Sequence, residues 1–163
     1  MLSLLIRNLF FTIIQPGVIV GLIPVVILGD KLKVYYSLIL RFSNFLGLIV
    51  FAGMIVCMLG FVIMLFCILS FAILGRGTLS PLDPTKKLVV SGFYRYSRNP
   101  MYIGVLTILI GEALLFQSVE LGIYTLIVFV AFHFYILLFE EPRLTKVFGE
   151  EYKKYCEQVR RWV

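Results

Sequence analysis

The run FLGLIVFAGMIVCMLGFVIMLFCILSFAIL, Phe45 to Leu74, carries thirty residues without one charge. As a helix it is roughly 45 Å long against a hydrocarbon core of roughly 30 Å, so it must tilt, kink near Gly53 or Gly60, or protrude. The whole chain agrees with a membrane reading. Its 163 residues are 61% hydrophobic with a mean hydropathy of +1.01, whereas roughly half the residues of a soluble domain are apolar. A net charge of +6 does not point to nucleic acid, because the positives flank apolar runs instead of forming one basic face. Cys57 and Cys67 share one apolar run, Cys156 lies in a polar tail, and the chain has a single His. Neither a disulfide framework nor a metal site is supported by that spacing.

Upstream, Leu9 to Leu28 reads as a first span, preceded by Arg7 and lacking the cleavage pattern of a signal peptide. Pro16 and Pro24 should bend it, and Gly17 and Gly21 form a GxxxG, either a close helix-packing face or a chance product of a glycine-rich segment. Asp30 to Asn44 is a polar connection, a loop or a partly embedded helix, and Gly75 to Ser91 is irregular by its Gly, Pro and Asp content. Downstream, Met101 to Phe116 is a sixteen-residue apolar segment, close to the minimum for spanning. Gln117-Ser118-Val119-Glu120 is a tight turn and Leu121 to Phe139 the next span, so these two helices are antiparallel and Pro100 returns near Glu140. The tail from Pro142 to Val163 alternates apolar and charged residues at helical spacing, predicting one or two amphipathic helices on the membrane surface, broken near Gly149.

The expected fold is therefore an all-α membrane protein with about four transmembrane helices and a C-terminal amphipathic interfacial tail. Residues 1–78 hold the N-terminal spans and residues 79–163 the loop, hairpin and tail, within one integral membrane domain. With that topology twelve Lys and Arg lie on the side of the termini and of the Gly75 to Asn99 loop, against three on the other, which puts the termini and the loop in the cytoplasm.

Chemistry concentrates in Gly92-Phe93-Tyr94-Arg95-Tyr96-Ser97-Arg98-Asn99-Pro100-Met101-Tyr102. Asn99 is a good N-cap and Pro100 suits the first helical position, predicting a helix start at Pro100. The positive dipole end with Arg98 beside it suits a carboxylate or phosphate. An ordinary interfacial belt of aromatics and positives has the same composition. Glu140 and Glu141 sit where the helix dipole is negative, which is unfavourable unless a cationic or hydroxyl-rich group binds them, or unless they face water or pair with Arg143 or Lys146. His133 lies seven residues before Glu140 on the same face, a candidate base or an interhelical hydrogen-bond partner. Glu112 is an acid within the third span, a functional candidate or an interfacial or paired group.

Taken together, these motifs resemble the integral membrane methyltransferases that include isoprenylcysteine carboxyl methyltransferase and phosphatidylethanolamine N-methyltransferase. In that family a Leu-Val-x-x-Gly-x-Tyr run leads to Arg-His-Pro-x-Tyr at a membrane helix start, then an apolar hairpin, Glu-Glu and Phe-Gly-x-x-Tyr-x-x-Tyr. Here the order is Leu88-Val89-Val90-Ser91-Gly92-Phe93-Tyr94, Arg98-Asn99-Pro100-Met101-Tyr102, Glu140-Glu141 and Phe148-Gly149-Glu150-Glu151-Tyr152-Lys153-Lys154-Tyr155. The resemblance covers Leu79 to Val163 and implies S-adenosylmethionine as cofactor. It implies Lys87, Leu88, Val89 and Tyr94 along the cofactor, Asn99, Pro100, Met101 and Tyr102 at the helix start, and Glu140 opposite. On physical grounds the cofactor carboxylate suits the helix start and Arg98, and its ammonium or ribose suits Glu140 and Glu141.

Two positions depart from the pattern. Asn99 stands where many members have His, and Ile136 stands where the prenylcysteine branch has an Arg thought to meet the substrate carboxylate. The expected activity is cytoplasmic-side methyl transfer to a lipophilic or small amphiphilic acceptor, with His133 and Glu140 as candidate catalytic residues. The expected partners are the lipid bilayer and that acceptor, with no metal and no nucleic acid. An NADPH-dependent membrane reductase and a non-enzymatic scaffold are the alternatives.

Overall fold

The computed structural model describes residues 16–29, 45–70, 73 and 88–163, and among these every regular element is helical. The Leu9 to Gln15 part of the first span, the Asp30 to Asn44 connection and most of the Gly75 to Ser91 loop, Lys87 included, lie outside the described residues. We number the helices α1 (Val18–Leu28), α2 (Phe45–Ser70), α3 (Pro100–Leu115), α4 (Val119–Tyr135), α5 (Glu141–Phe148) and α6 (Glu150–Gln158). Two stretches are long and apolar enough to cross a membrane, Gly47–Ser70 in α2 and Val119–Phe148 through α4 and α5. α1 and α3 are shorter apolar helices.

The short helix α3 is the centre of the assembly. Val105, Leu106 and Leu109 of α3 and Val128 of α4 form a buried cluster, with Ile19 and Val20 of α1, Met64 of α2 and Trp162 of the tail packed against it. The sixteen-residue run is thus a core helix surrounded by its neighbours.

α2 meets α3 through glycines seven residues apart. A Cβ on Gly53 would lie 2.9 Å from the Gly111 carbonyl oxygen, one on Gly60 2.7 Å from that of Gly104, and one on Gly111 2.6 Å from the Cys57 nitrogen. In lipid, where apolar side chains gain little by leaving the solvent, such close backbone approach is what holds two helices together. Both α2 glycines, where a kink was one of three ways to fit the long run to a bilayer, sit inside one uninterrupted helix and serve this seam. The GxxxG of α1 behaves differently, since among the described residues a Cβ on Gly17 or Gly21 meets nothing within 4 Å. The outer face of α2, with Leu48, Phe51, Met58 and Phe61, is exposed and suited to lipid.

Two wide π turns interrupt the helices, Val18–Leu22 and Ile136–Glu140. Each ends two residues before a proline, Pro24 and Pro142. A proline removes one i to i−4 bond and its ring crowds the carbonyl four residues back, and a widened turn relieves that crowding. As a result α4 runs on past Glu140 into α5 without a break.

Between α3 and α4, Gln117 adopts a positive φ of 49° and Ser118 caps α4, its hydroxyl accepting from Leu121 N at 3.3 Å. The expected antiparallel hairpin is present, with a three-residue connection, Phe116 to Ser118, where the spacing predicts the four residues Gln117 to Glu120. Gly149, at φ 55°, separates α5 from α6 as expected. The tail otherwise differs from a single surface-lying stripe. Tyr152 and Tyr155 are buried against protein, and α6 stops at Gln158, leaving 159–163 as an extended segment that crosses the start of α3.

Candidate functional site

Three segments converge at the start of α3: the Leu88 to Asn99 lead-in, the α4–α5 junction and the end of the tail. The lead-in is shaped by Gly92, whose φ of +64° and position 2.5 Å (Cβ to ring) from the Phe66 ring exclude any side chain. Gly92–Arg95 then form one 3-10 turn. That turn buries the Tyr94 ring beside Val89 and Cys67, with Met101 packed on the cluster. Burial pushes the Tyr94 phenol well above its ordinary pKa. The Tyr94 carbonyl accepts from the Tyr155 hydroxyl at 2.6 Å, and burial, offset by Arg98, raises the Tyr155 pKa to about 12.

The helix does start at Pro100, with Asn99 at the N-cap position, yet the Asn99 side chain makes no capping bond. Its amide instead donates to the Arg161 carbonyl at 3.0 Å. The Ser97 hydroxyl donates to the same carbonyl at 3.2 Å, and Arg98 N donates to the Arg160 carbonyl at 2.9 Å. The Asn99 side chain is thus committed to the extended tail and its oxygen does not accept from the helix start, leaving the first-turn N–H groups without a side-chain cap.

The two adjacent glutamates do different things. The Tyr102 hydroxyl donates to Glu140 Oε2 at 2.7 Å, joining the first turn of α3 to the last residue of the π turn. Glu141 accepts two parallel bonds from Arg161, at 2.8 and 2.9 Å, and pairs with Arg98 Nη1 at 3.1 Å. Arg98 Nη1 also donates to the Cys156 sulfur at 2.7 Å, while its Nε is buried without a hydrogen-bond partner among the described residues. Glu141 is therefore the centre of an Arg98–Glu141–Arg161 bridge that ties the tail down.

His133 lies farther along α4, under the tail. Trp162 Nε1 donates to its Nδ1 at 3.2 Å and the two rings stack, with Phe129 also against Trp162. With Nδ1 accepting, a neutral imidazole carries its proton on Nε2, so neither nitrogen offers a free lone pair in this arrangement. Ile136 is fully buried, an apolar element where the prenylcysteine branch carries a cation.

The structure thus brings together Val89, Tyr94, Arg98, Asn99, Pro100, Met101, Tyr102, Glu140 and Glu141, with Leu88 half-buried at the edge of the lead-in. His133 sits apart, against Trp162. Sequence reasoning missed Arg161, Cys156, Tyr155 and Trp162 as partners of these residues. The odd concentration of Arg and Trp after Gln158 was the available signal.

A family model described as phospholipid methyltransferase matches residues 43–151. The match takes in α2 to α5 and the first residues of α6, whereas the motifs read from the sequence begin only at Leu79 and run on to Val163. No curated protein and no solved structure matches the chain.

Proposed function

Because the chain belongs to the phospholipid methyltransferase family, we propose that it is a four-span membrane enzyme that methylates a lipophilic or amphiphilic acceptor with S-adenosylmethionine bound from the cytoplasmic side. The observation that carries this reading is the Tyr102–Glu140 hydrogen bond of 2.7 Å, which joins the helix-start motif to the glutamate pair. Twelve Lys and Arg against three support the cytoplasmic orientation.

The chain's residues fit such a cofactor. The α3 start, lacking a side-chain cap, and the partnerless Arg98 Nε suit a carboxylate. Glu140 suits an ammonium or ribose hydroxyls, since one tyrosine donor leaves a carboxylate with further acceptor sites. Leu88, Val89, Tyr94 and Met101 offer an apolar wall for adenine, and Lys87 precedes them. When bound, the cofactor supplies a methyl group on a sulfonium for in-line displacement. The protein's part is to hold donor and acceptor in line and to exclude water from them.

Glu140 is the carboxylate held at the helix start, and with an amine acceptor its oxygen receives the proton the amine must lose; a carboxylate acceptor needs no base. Its bond from Tyr102 fixes its rotamer for that role. Asn99, Glu141 and His133 act through the tail, which they anchor by Arg161 and Trp162. For His133 this is a positioning role.

Calorimetric binding of S-adenosylhomocysteine, beside NADPH, to the detergent-purified protein tests the reading. Micromolar binding of the homocysteine analogue is expected, weakened about tenfold or more, roughly 1.4 kcal/mol, by Glu140→Ala and less by Tyr102→Phe. Binding of NADPH instead, or of neither by folded protein, would overturn it.

A further inference from the structure

A cavity of about 870 Å³ lies between α1, α2 and the far half of α3, a size that suits one small amphiphile. Its wall runs from Met54 to Ile68 along α2, is closed by Gly17 and Gly21 of α1, and includes Glu112 of α3. Among the described residues no cationic side chain lines it. The α1 glycines, with no described atom within 4 Å of a would-be Cβ, give this cavity its breadth.

Glu112 is the group that needs an explanation. Its Oε2 is buried with no hydrogen-bond partner among the described residues, an arrangement that is costly in an apolar setting. The nearest candidate donors are turned elsewhere. Cys57 Sγ donates to the Ile108 carbonyl at 3.5 Å, and the Tyr124 hydroxyl donates to the Ile19 carbonyl at 3.1 Å. An apolar ligand would leave the carboxyl as it is, and an acid would be repelled by it. An ammonium brings both a compensating charge and three donors.

We propose that this cavity binds a single-chain lipophilic amine, its ammonium on Glu112 and its alkyl chain along the Met54 to Ile68 wall. Glu112 lies ten residues after Tyr102 on one helix, about 15 Å along the axis, so the ammonium is held apart from the methyl-transfer corner while the Ile68 end of the wall, next to Cys67, lies toward it. Glu112 is three residues from the end of α3, which puts the ammonium near the opposite membrane face. From the Cys57 level to Ile68 the wall is about 16 Å long, enough for a dodecyl chain.

The test uses the full chain in nanodiscs of zwitterionic lipid and two photoreactive probes, a diazirine-bearing dodecylamine and the matched dodecanoic acid, with adducts mapped by peptide mass spectrometry. The amine should label the cavity wall about tenfold more than the acid, and unlabelled dodecylamine should compete. Glu112→Gln should remove that preference while melting and elution stay unchanged. Should that variant fail to fold, Gly21→Leu, which fills the cavity from α1 and keeps the carboxyl, should give the same loss. Equal labelling by the acid, labelling without competition, or a preference that survives both substitutions would overturn the proposal. Homocysteine-analogue binding, measured in the same samples, should be untouched by Glu112→Gln, so failure of one reading is distinguishable from failure of the other.

Discussion

The two faces of α3 hold their neighbours by different means. Toward α2 the contact is backbone against backbone, through Gly53, Gly60, Gly104 and Gly111. Toward α4 and the tail, side-chain packing on Val128 and Trp162 is joined at the helix start by directed hydrogen bonds, Tyr102 to Glu140 and Asn99 to the Arg161 carbonyl. A bilayer explains the division. Apolar side chains are already solvated by lipid, so helices there associate by close fit, while polar groups at the helix end find donors and acceptors only within the protein. The seam fixes distance and the corner fixes chemistry.

If that division is right, the seam should be the least forgiving part of the molecule. Gly111→Val places a Cβ 2.6 Å from the Cys57 nitrogen and should cost more than about 3 kcal/mol, seen as loss of the monodisperse peak in size-exclusion chromatography. A variant that melts like the parent would end the comparison. At the corner, Glu141→Ala leaves Arg98 and Arg161 without their shared carboxylate and should cost about 3 kcal/mol, the low end for breaking a buried pair because this one is partly exposed. Thermal melting in detergent measures it, and Glu141→Gln should recover part of the loss.

The corner should also fail in alkali where the seam does not. The Tyr155 phenol, ordinarily near 10, is raised to about 12 in the folded protein. Its contribution is complete below about pH 10 and is lost as pH rises through 12, at most about 2.7 kcal/mol for that shift. Tyr155→Phe should flatten the alkaline limb of a melting-temperature profile, whereas a parent profile without such a limb would contradict the assignment. The smallest effect belongs to Gly17→Ala, with no described neighbour within 4 Å, which should change stability by about 0.5 kcal/mol or less.

Those two kinds of glycine also mark where sequence reading stops. Gly17 and Gly21 carry the recognised spacing and meet no described residue, while glycines seven apart in α2 and α3 make the seam, because only a partner's position decides whether a missing side chain is used. The helix start at Pro100 was legible from Asn99-Pro100, and its approach to Glu140 from the short Gln117 turn. The crossing tail was not, since it bonds through the carbonyls of Arg160 and Arg161, groups that every residue has. Pro24 announced a bend, but whether a proline kinks or widens its helix depends on what packs around it, and Pro142 drew no such expectation. That α3 is short and apolar was legible from its composition, while its burial among its neighbours was not, because burial depends on the partners' positions.

Trp162 is the chain's single tryptophan, and it lies where the tail closes on α4, against His133 and Phe129. All indole emission from this protein originates at that one closure. Lifting the tail into water would shift the emission to the red, so the opening and closing of the corner can be followed in ordinary fluorescence, in real time and without attaching a dye.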